Sequence, residues 1–199
     1  MSPERRISRL RYTFYIIIIC SSVVICYLGF VRGMRFFAVP SASMEPTLRR
    51  GDYLVTLNAE EYRRGDVVVL RDPTIEGGNL VKRIVGVGGD VVAIQAGALF
   101  LNGKYASEPY ILEPMVYELF PPITVPEDNV FVLGDNRNDS EDSSYWAIVR
   151  SDPEIPAELK ADPTIPASDI IGRVRYIYLP GSRRGPVAAF PLDDMLVTP

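Results

Sequence analysis

The feature that most constrains the fold is an apolar stretch near the N-terminus that contains no charged side chain. It runs from Tyr12 to Val31, 20 residues without Asp, Glu, Lys or Arg. A helix of that length extends about 30 Å, which is the thickness of the hydrocarbon core of a bilayer. The sequence therefore predicts a basic tail at 1–11, a transmembrane anchor at 12–31 and a separate domain at 36–199.

Charges on the two sides of the apolar stretch predict its direction in a membrane. Four arginines and one glutamate lie at 4–11, whereas Arg32 and Arg35 follow the stretch. Because basic flanks favour the cytoplasmic side, we expect the N-terminus inside and the domain on the outer face. A cleaved signal peptide is the alternative, but its apolar region usually has about 7–15 residues, and 29–32 offers no small-x-small site.

Short strand-like runs dominate the rest of the chain. Asn102-Gly103 lies between two of them and is a strong hairpin signal. Each run is rich in Val, Ile, Leu or Tyr and is bounded by turn-forming residues. The runs are Tyr53–Leu57, Val67–Leu70, Leu80–Val87, Val91–Ile94, Ala98–Leu101, Val130–Leu133 and Ile170–Leu179. We therefore expect a mostly β fold, with one domain of coiled, barrel-like sheets.

Two parts of the domain lack this strand pattern. Residues 150–169 contain four prolines and five acidic residues, which predicts a polar loop. Residues 181–199 are also rich in Pro and Gly, and we expect them to form a loose extension.

The composition excludes several kinds of chemistry. The sequence has no histidine, and its two cysteines, Cys20 and Cys26, both lie in the apolar stretch. Ser-His-Asp and Cys-His mechanisms are therefore impossible, and we expect no metal and no cofactor. The net charge of −4 gives no indication of nucleic-acid binding. A hydrolase of this composition needs another base, and lysine, unlike arginine, can lose its proton when it is buried.

Three segments carry side chains suited to chemistry. Lys82 lies in an apolar strand-like run, where the plainer interpretation is an edge-strand lysine that faces water. Ser41 and Ser43 lie in 36–48, a segment too apolar for a solvated linker. Residues 133–143 form a polar loop after a strand, and such a loop by itself is typical of a turn with Asx hydrogen bonds.

In this order, and behind an N-terminal anchor, these segments resemble bacterial type I signal peptidases. These are membrane-bound serine proteases that remove signal peptides from exported preproteins. The resemblance covers about residues 12–149 and resumes at 170–174. It rests on four motifs, Pro40–Leu48, Arg64–Val69, Val81–Asp90 and Val132–Ser143.

The resemblance implies a role for each matching residue. It makes Ser43 the nucleophile and Lys82 the general base. An oxyanion hole is implied from the backbone N–H of Ser43 and the side chain of Ser41. Ser140 is implied to orient the lysine, and Asp142 to support the site. The residues that match shallow pockets for small side chains, in an Ala-x-Ala-like pattern, are Phe37, Val39, Pro40, Met44, Leu48, Leu80 and Val81.

The sequence departs from the family pattern in three places. Ser144 stands where family members commonly have arginine, which removes the expected partner of Asp142. Ala147 stands where glycine is common, and 150–169 looks like an insertion. A catalytically inactive homologue is therefore one alternative. A membrane-anchored β-domain that binds envelope partners without catalysis is the other.

Overall fold

A computed structural model describes residues 3–31, 33–188 and 190–197. The chain divides into two compact units, one ending at Met34 and the other beginning at Arg35.

The first unit contains a single helix, α1, at Pro3–Val31. Most of its described large apolar side chains are exposed, among them Tyr12, Phe14, Ile19 and Ile25. After the helix, Gly33 adopts a φ of 61° and the N–H of Met34 donates to the carbonyl of Gly29. Such a glycine-assisted turn satisfies a carbonyl that the helix end leaves free. Within the described residues, no helix combines the length and the hydropathy of a membrane span.

The second unit is built from strands that pair antiparallel. The described strands are β1 Arg35–Ala38, β2 Tyr53–Leu57, β3 Val67–Arg71, β4 Asn79–Val87, β5 Val91–Gln95, β6 Ala98–Leu101, β7 Lys104–Ala106, β8 Leu119–Thr124, β9 Asn129–Leu133, β10 Ile165–Pro166, β11 Ile170–Leu179, β12 Gly185–Pro186 and β13 Leu196–Val197. Among the described residues of this unit, one α-helix, α2, occupies Ser143–Ser151, and short 3-10 helices lie at Ala157–Leu159, Ala167–Asp169, Gly181–Arg183 and Leu192–Met195. The prediction of a mostly β domain is confirmed.

The strands form two sheets. The first has the order β1-β2-β11-β3-β4-β9-β10, with β12 paired to β11, and the second has the order β13-β7-β6-β5-β8. Register shifts in β4 and β11 bend the first sheet locally. The predicted hairpin is also present, because Asn102 and Gly103 have φ values of 52° and 76°, as its two-residue turn requires.

Strand β3 shows how the first sheet is buried on both faces. Val67 and Val69 pack into one apolar cluster with Met44 and Leu48, while Val68 and Leu70 pack into another. Successive side chains of a strand point to opposite faces, so a strand covered on both sides reads as a continuous apolar run. The segment between β1 and β2 is thereby packed onto the sheet that carries Lys82.

The expectation of a loose tail at 181–199 is wrong for the described residues. Gly185–Pro186 pairs with β11, and Leu196–Val197 pairs with β7. Leu192 is fully buried in the core beside the second sheet. A few widely spaced apolar side chains hold this segment in place. They are too sparse to form a recognisable strand or helix pattern among its prolines and glycines.

The expectation of a loop throughout 150–169 is wrong in part. Helix α2 continues to Ser151, and Ile165–Pro166 forms β10 against β9. The helix was missed because it is short and lies among polar residues. Its N-cap is Asp142, whose side chain accepts the backbone N–H of Ser144.

Candidate active site

The segment between β1 and β2 presents two serine hydroxyls. The side chains of Met44 and Leu48 are buried in the core and hold the segment in place. Ser41 and Ser43 remain accessible, and their Oγ atoms lie 3.3 Å apart. The buried apolar anchors thus hold two polar side chains at the surface, although the segment has no regular secondary structure.

Lys82 lies on β4, an interior strand between β3 and β9, and is 2% exposed. The interpretation of an edge-strand lysine that faces water is therefore wrong. Its Nζ donates a hydrogen bond of 2.9 Å to Ser140 Oγ. Among the described residues it makes no hydrogen bond to Ser43. The lysine and the serine reach the same cavity from different elements.

Burial lowers the pKa of Lys82, because an ammonium loses its hydration in this position. The carboxylates of Asp142, Glu141, Asp72 and Asp139 act in the opposite direction and raise the pKa by their charge. Desolvation is the larger effect, so the neutral amine is favoured relative to an exposed lysine.

The neighbouring Arg83 points to the other face of β4, as strand alternation requires. Its guanidinium is fully buried and binds Asp135 through two hydrogen bonds of 2.8 and 2.7 Å. Thr47 Oγ1 donates to the same carboxylate at 2.5 Å. The ion pair connects β4 to the loop that follows β9. Thr47 connects the segment between β1 and β2, named here the serine segment, to the same loop.

This loop, residues 134–142, is named here the Ser140 loop. Asn136 donates its backbone N–H to Ser43 O at 3.0 Å and its side-chain amide to Ala42 O at 3.3 Å. A Cβ on Gly134 would lie 2.3 Å from Ser140 Oγ and 2.4 Å from Ser43 O. Only glycine allows this approach, so Gly134 brings Ser43 and Ser140 together.

A cavity of about 660 Å³ opens between these elements. Ser41, Ser43, Lys82 and Ser140 line it together. Of the residues expected to form substrate pockets, those on the cavity wall are Phe37, Val39, Pro40, Met44, Leu80 and Val81. Lining residues that sequence reasoning missed are Ala38, Val69, Asn79, Asn138, Asp139, Glu141 and Tyr145. Four of these, Val69, Asn138, Asp139 and Glu141, lie within the recognised motifs, which was the available signal.

Two expected site residues do not line the cavity. Leu48 is fully buried beside Leu54, so the interpretation of Leu48 as a pocket residue is not supported. Its side chain turns into the core, where it holds the serine segment. Asp142, the last residue of the Ser140 loop, is also fully buried. It has a supporting position and does not contact the cavity.

Asp142 is well partnered although Ser144 stands in place of the arginine. Its Oδ2 accepts the N–H of Gly134 at 2.9 Å. Its Oδ1 accepts the backbone N–H of Ser144 at 3.1 Å and the Ser144 hydroxyl at 2.6 Å. Ala147, the other departure, is buried in the core beside the second sheet. Neither Ser144 nor Ala147 lines the cavity.

Comparisons with known proteins show the family to which the chain is similar. A family model described as signal peptidase, peptidase S26, matches residues 9–179, which include all four motifs. The chain is 34% identical over 173 residues to probable signal peptidase I-1 of Synechocystis sp., covering 79% of this chain and 80% of that protein. It is 42% identical over 130 residues to probable signal peptidase I-2 of the same organism, covering 60% and 58%.

A solved structure of a signal peptidase I from Enterococcus faecalis V583 is more distant. It is 23% identical, covers 58% of this chain and 98% of its own, and superposes with a TM-score of 0.44.

Proposed function

The chain belongs to the signal peptidase family, peptidase S26, and from that premise we propose that it is a serine endopeptidase that removes signal peptides from preproteins. One observation carries the proposal, namely the cavity that the Ser43 hydroxyl, the buried Lys82 amine and Ser140 reach together. A hydroxyl becomes an effective nucleophile only when a base takes its proton. With no histidine in the sequence, Lys82 is the nitrogen base that the cavity offers.

In the proposed acylation step, Ser43 Oγ attacks the carbonyl carbon of the scissile bond while its proton passes to neutral Lys82 Nζ. The tetrahedral intermediate then collapses, and the C–N bond breaks. The Lys82 ammonium returns the proton to the departing amine. The products of this step are the mature chain and an ester between the signal peptide and Ser43.

In the proposed second step, water attacks the ester carbonyl and gives a proton to Lys82. The bond between the carbonyl carbon and Ser43 Oγ breaks, and the serine recovers the proton. The signal peptide leaves with a new carboxyl group. Ser140 supports both steps because its contact with Nζ directs the amine towards the cavity.

The negative oxygen of the tetrahedral intermediate needs donors, and we assign the backbone N–H of Ser43 and the hydroxyl of Ser41 to this role. The 3.3 Å separation of the two serine Oγ atoms supports the assignment, since a substrate carbonyl near Ser43 would also be near Ser41. Loss of one such donor typically costs about 2.7–4 kcal/mol of transition-state stabilisation.

The substrate is proposed to bind as an extended strand. In the described sheet, β9 pairs with β4 only from Arg83 onward, whereas residues 79–82 pair with β3 on their other side. This free edge lies at the cavity and offers backbone groups to an added strand. The apolar wall of Phe37, Val39 and Leu80 suits small side chains of the Ala-x-Ala type.

The helix α1 is proposed to be a single-pass anchor with its N-terminus in the cytoplasm and the domain on the outer face. The support is the uncharged run at 12–31 in the sequence and the exposure of its apolar side chains. An anchor of this kind would keep the cavity near the membrane surface, where the cleavage site of a signal peptide emerges.

The test uses detergent-solubilised protein and a preprotein with an Ala-x-Ala site, followed by N-terminal sequencing of the product. The variants Ser43→Ala and Lys82→Ala are each expected to abolish cleavage. Matched controls are Ser168→Ala and Lys104→Ala, which change exposed residues outside the cavity and are expected to cleave normally. Full activity in either cavity variant would refute the proposed mechanism.

A further inference from the structure

The Ser140 loop is supported by the connection between β7 and β8, residues 107–118, which we call the connecting segment. The N–H of Leu112 donates to Asp135 O at 3.0 Å. The N–H of Val116 donates to Asn138 Oδ1, also at 3.0 Å. A segment that belongs to the second sheet therefore contacts the loop that completes the cavity in the first.

The two ends of the connecting segment act on the same residue of this loop, Gly134. At one end, Glu108 binds both terminal nitrogens of Arg137, at 2.7 and 2.5 Å, and Arg137 Nε donates to Gly134 O at 2.9 Å. Arg137 is 1% exposed, and Tyr110 also donates to Glu108 at 2.6 Å. This end therefore holds the carbonyl of Gly134 through a buried ion pair.

At the other end, Tyr117 is connected to the N–H of Gly134 by hydrogen bonds that pass through Ser144 and Asp142. Ser144 Oγ lies 2.9 Å from the Tyr117 hydroxyl and 2.6 Å from Asp142 Oδ1. Asp142 Oδ2 in turn accepts the N–H of Gly134. An ionised carboxylate only accepts, and Ser144 has a single hydroxyl proton. Ser144 therefore donates to Asp142, and the Tyr117 hydroxyl donates to Ser144.

Tyr117 keeps the proton that this arrangement needs. Burial and, to a smaller extent, the charge of Asp142 raise the pKa of Tyr117 to about 12. The phenol thus stays a donor throughout the neutral and mildly alkaline range. An ordered Asp142 then holds Gly134, which lies so close to Ser140 Oγ and Ser43 O that no side chain fits between them.

We propose that Tyr117 is a positioning residue for this peptidase, acting through Ser144 and Asp142 to hold Gly134 and thereby Ser140 against Lys82. The inference rests on the proposed function, because it gives Tyr117 its effect through the lysine base. Tyr117 does not line the cavity, so it acts on the geometry of the catalytic groups and not on the substrate.

The first test compares Tyr117→Phe with the full-length wild-type protein on a preprotein. Removing the hydroxyl deletes one hydrogen bond, so kcat is expected to fall about threefold to tenfold. KM is expected to stay within about twofold, because the substrate contacts remain. The Glu108–Arg137 pair still holds the carbonyl of Gly134, so the variant is expected to fold. Tyr105→Phe, an exposed tyrosine of β7, is the matched control.

The second readout is the pH dependence of kcat/KM, which reports the deprotonation of Lys82. Desolvation is the main cause of the lowered pKa of Lys82, and it outweighs the carboxylates of Asp142, Glu141, Asp72 and Asp139. If the Ser140 loop is loosened, water reaches Lys82 Nζ and the desolvation that lowers its pKa is reduced. The midpoint of the rise of kcat/KM with pH is therefore expected to move to higher pH in Tyr117→Phe. A purely structural role would lower the melting temperature and leave this midpoint in place.

A double-mutant cycle tests whether Tyr117 acts through Ser144. If Tyr117 acts through Ser144, then Tyr117→Phe in the Ser144→Ala background is expected to cause no further loss of kcat. Additive losses, an unmoved pH midpoint, or a wild-type kcat in Tyr117→Phe would each overturn the inference. Ser43→Ala is measured in parallel, because cleavage by that variant would refute the proposed function instead.

Discussion

At the residue scale, Lys82 shows how burial changes the chemistry of a side chain. An exposed lysine is an ammonium at neutral pH and cannot accept a proton. On β4 the side chain is 2% exposed, with the Ser140 hydroxyl as its hydrogen-bond partner. The free energy that the charged form loses on desolvation favours the neutral amine, which is the form that can accept a proton.

The pH dependence of activity follows from this pKa. The pKa of folded Lys82 lies below its ordinary value of 10.5. Below the folded pKa the residue is an ammonium and inactive as a base, and above it the amine is free. We therefore expect kcat/KM to rise with pH through the lowered pKa, as measured in a pH–rate profile. A rate that does not change from acid to strongly alkaline pH would contradict the lysine base.

Gly134 gives a second prediction at this scale. In Gly134→Ala, the new methyl group meets Ser140 Oγ and Ser43 O at 2.3 and 2.4 Å, so the segments that carry Ser43 and Ser140 must separate. A displacement of about 1 Å can lower a rate about 100-fold, and we expect a loss of kcat of that order.

The matched control for this change is Gly181→Ala, whose added methyl meets nothing within 4 Å. Steady-state kinetics on the two variants, with circular dichroism to check folding, measures the difference. Equal activity in the two variants would show that the Ser140 loop does not need its close approach to Ser43.

At the element scale, the C-terminal residues belong to the structure of the domain. Leu192 packs with residues of β5, β6 and β9, and the short strand after it pairs with β7. The tail also contributes Arg183, whose guanidinium binds the buried Asp52 behind the serine segment. The tail thus contributes both to the core beside the second sheet and, through Arg183, to the support of the segment that carries Ser43.

Leu192→Ala is therefore expected to lower the free energy of unfolding by about 2–5 kcal/mol, the range for a truncated core leucine. Val197→Ala, at a residue that is 53% exposed, is the control and should change it little. Urea denaturation measures both values. A wild-type stability for Leu192→Ala would mean that the tail is loose in solution.

At the scale of the whole molecule, the chain consists of two compact units, and the second begins at Arg35. The three buried apolar clusters all lie within the second unit. We therefore expect residues 35–199 to fold cooperatively without the helix and to cleave a short soluble peptide with an Ala-x-Ala site.

The same truncation is expected to lose sedimentation with lipid vesicles, which the full chain should retain if α1 is an anchor. Thermal unfolding, peptide cleavage and vesicle sedimentation test the two units separately. A truncated chain that does not fold would show that α1 contributes to the domain core. Equal sedimentation of both proteins would refute the anchor.

Much of the fold was predictable because strands are encoded locally. Alternation, β-branched side chains and turn residues located β2, β6 and β11 with their observed bounds. The same rules failed for β10, β12 and β13, because two-residue strands depend on a partner and carry no pattern of their own. Helix α2 depends on the Asp142 cap, which looks like any loop acid until its hydrogen bonds are seen.

The sequence alone determined the chemistry that was available. With no histidine, and with arginine unable to act as a base, lysine became the leading candidate for the base that activates a serine, and the motif around Lys82 pointed to that residue. Only the tertiary structure decided that Lys82 is buried, that Leu48 faces the core, and that Tyr117 supports Asp142. These outcomes depend on contacts between residues far apart in the chain, and packing, unlike periodicity, leaves no local trace in the sequence.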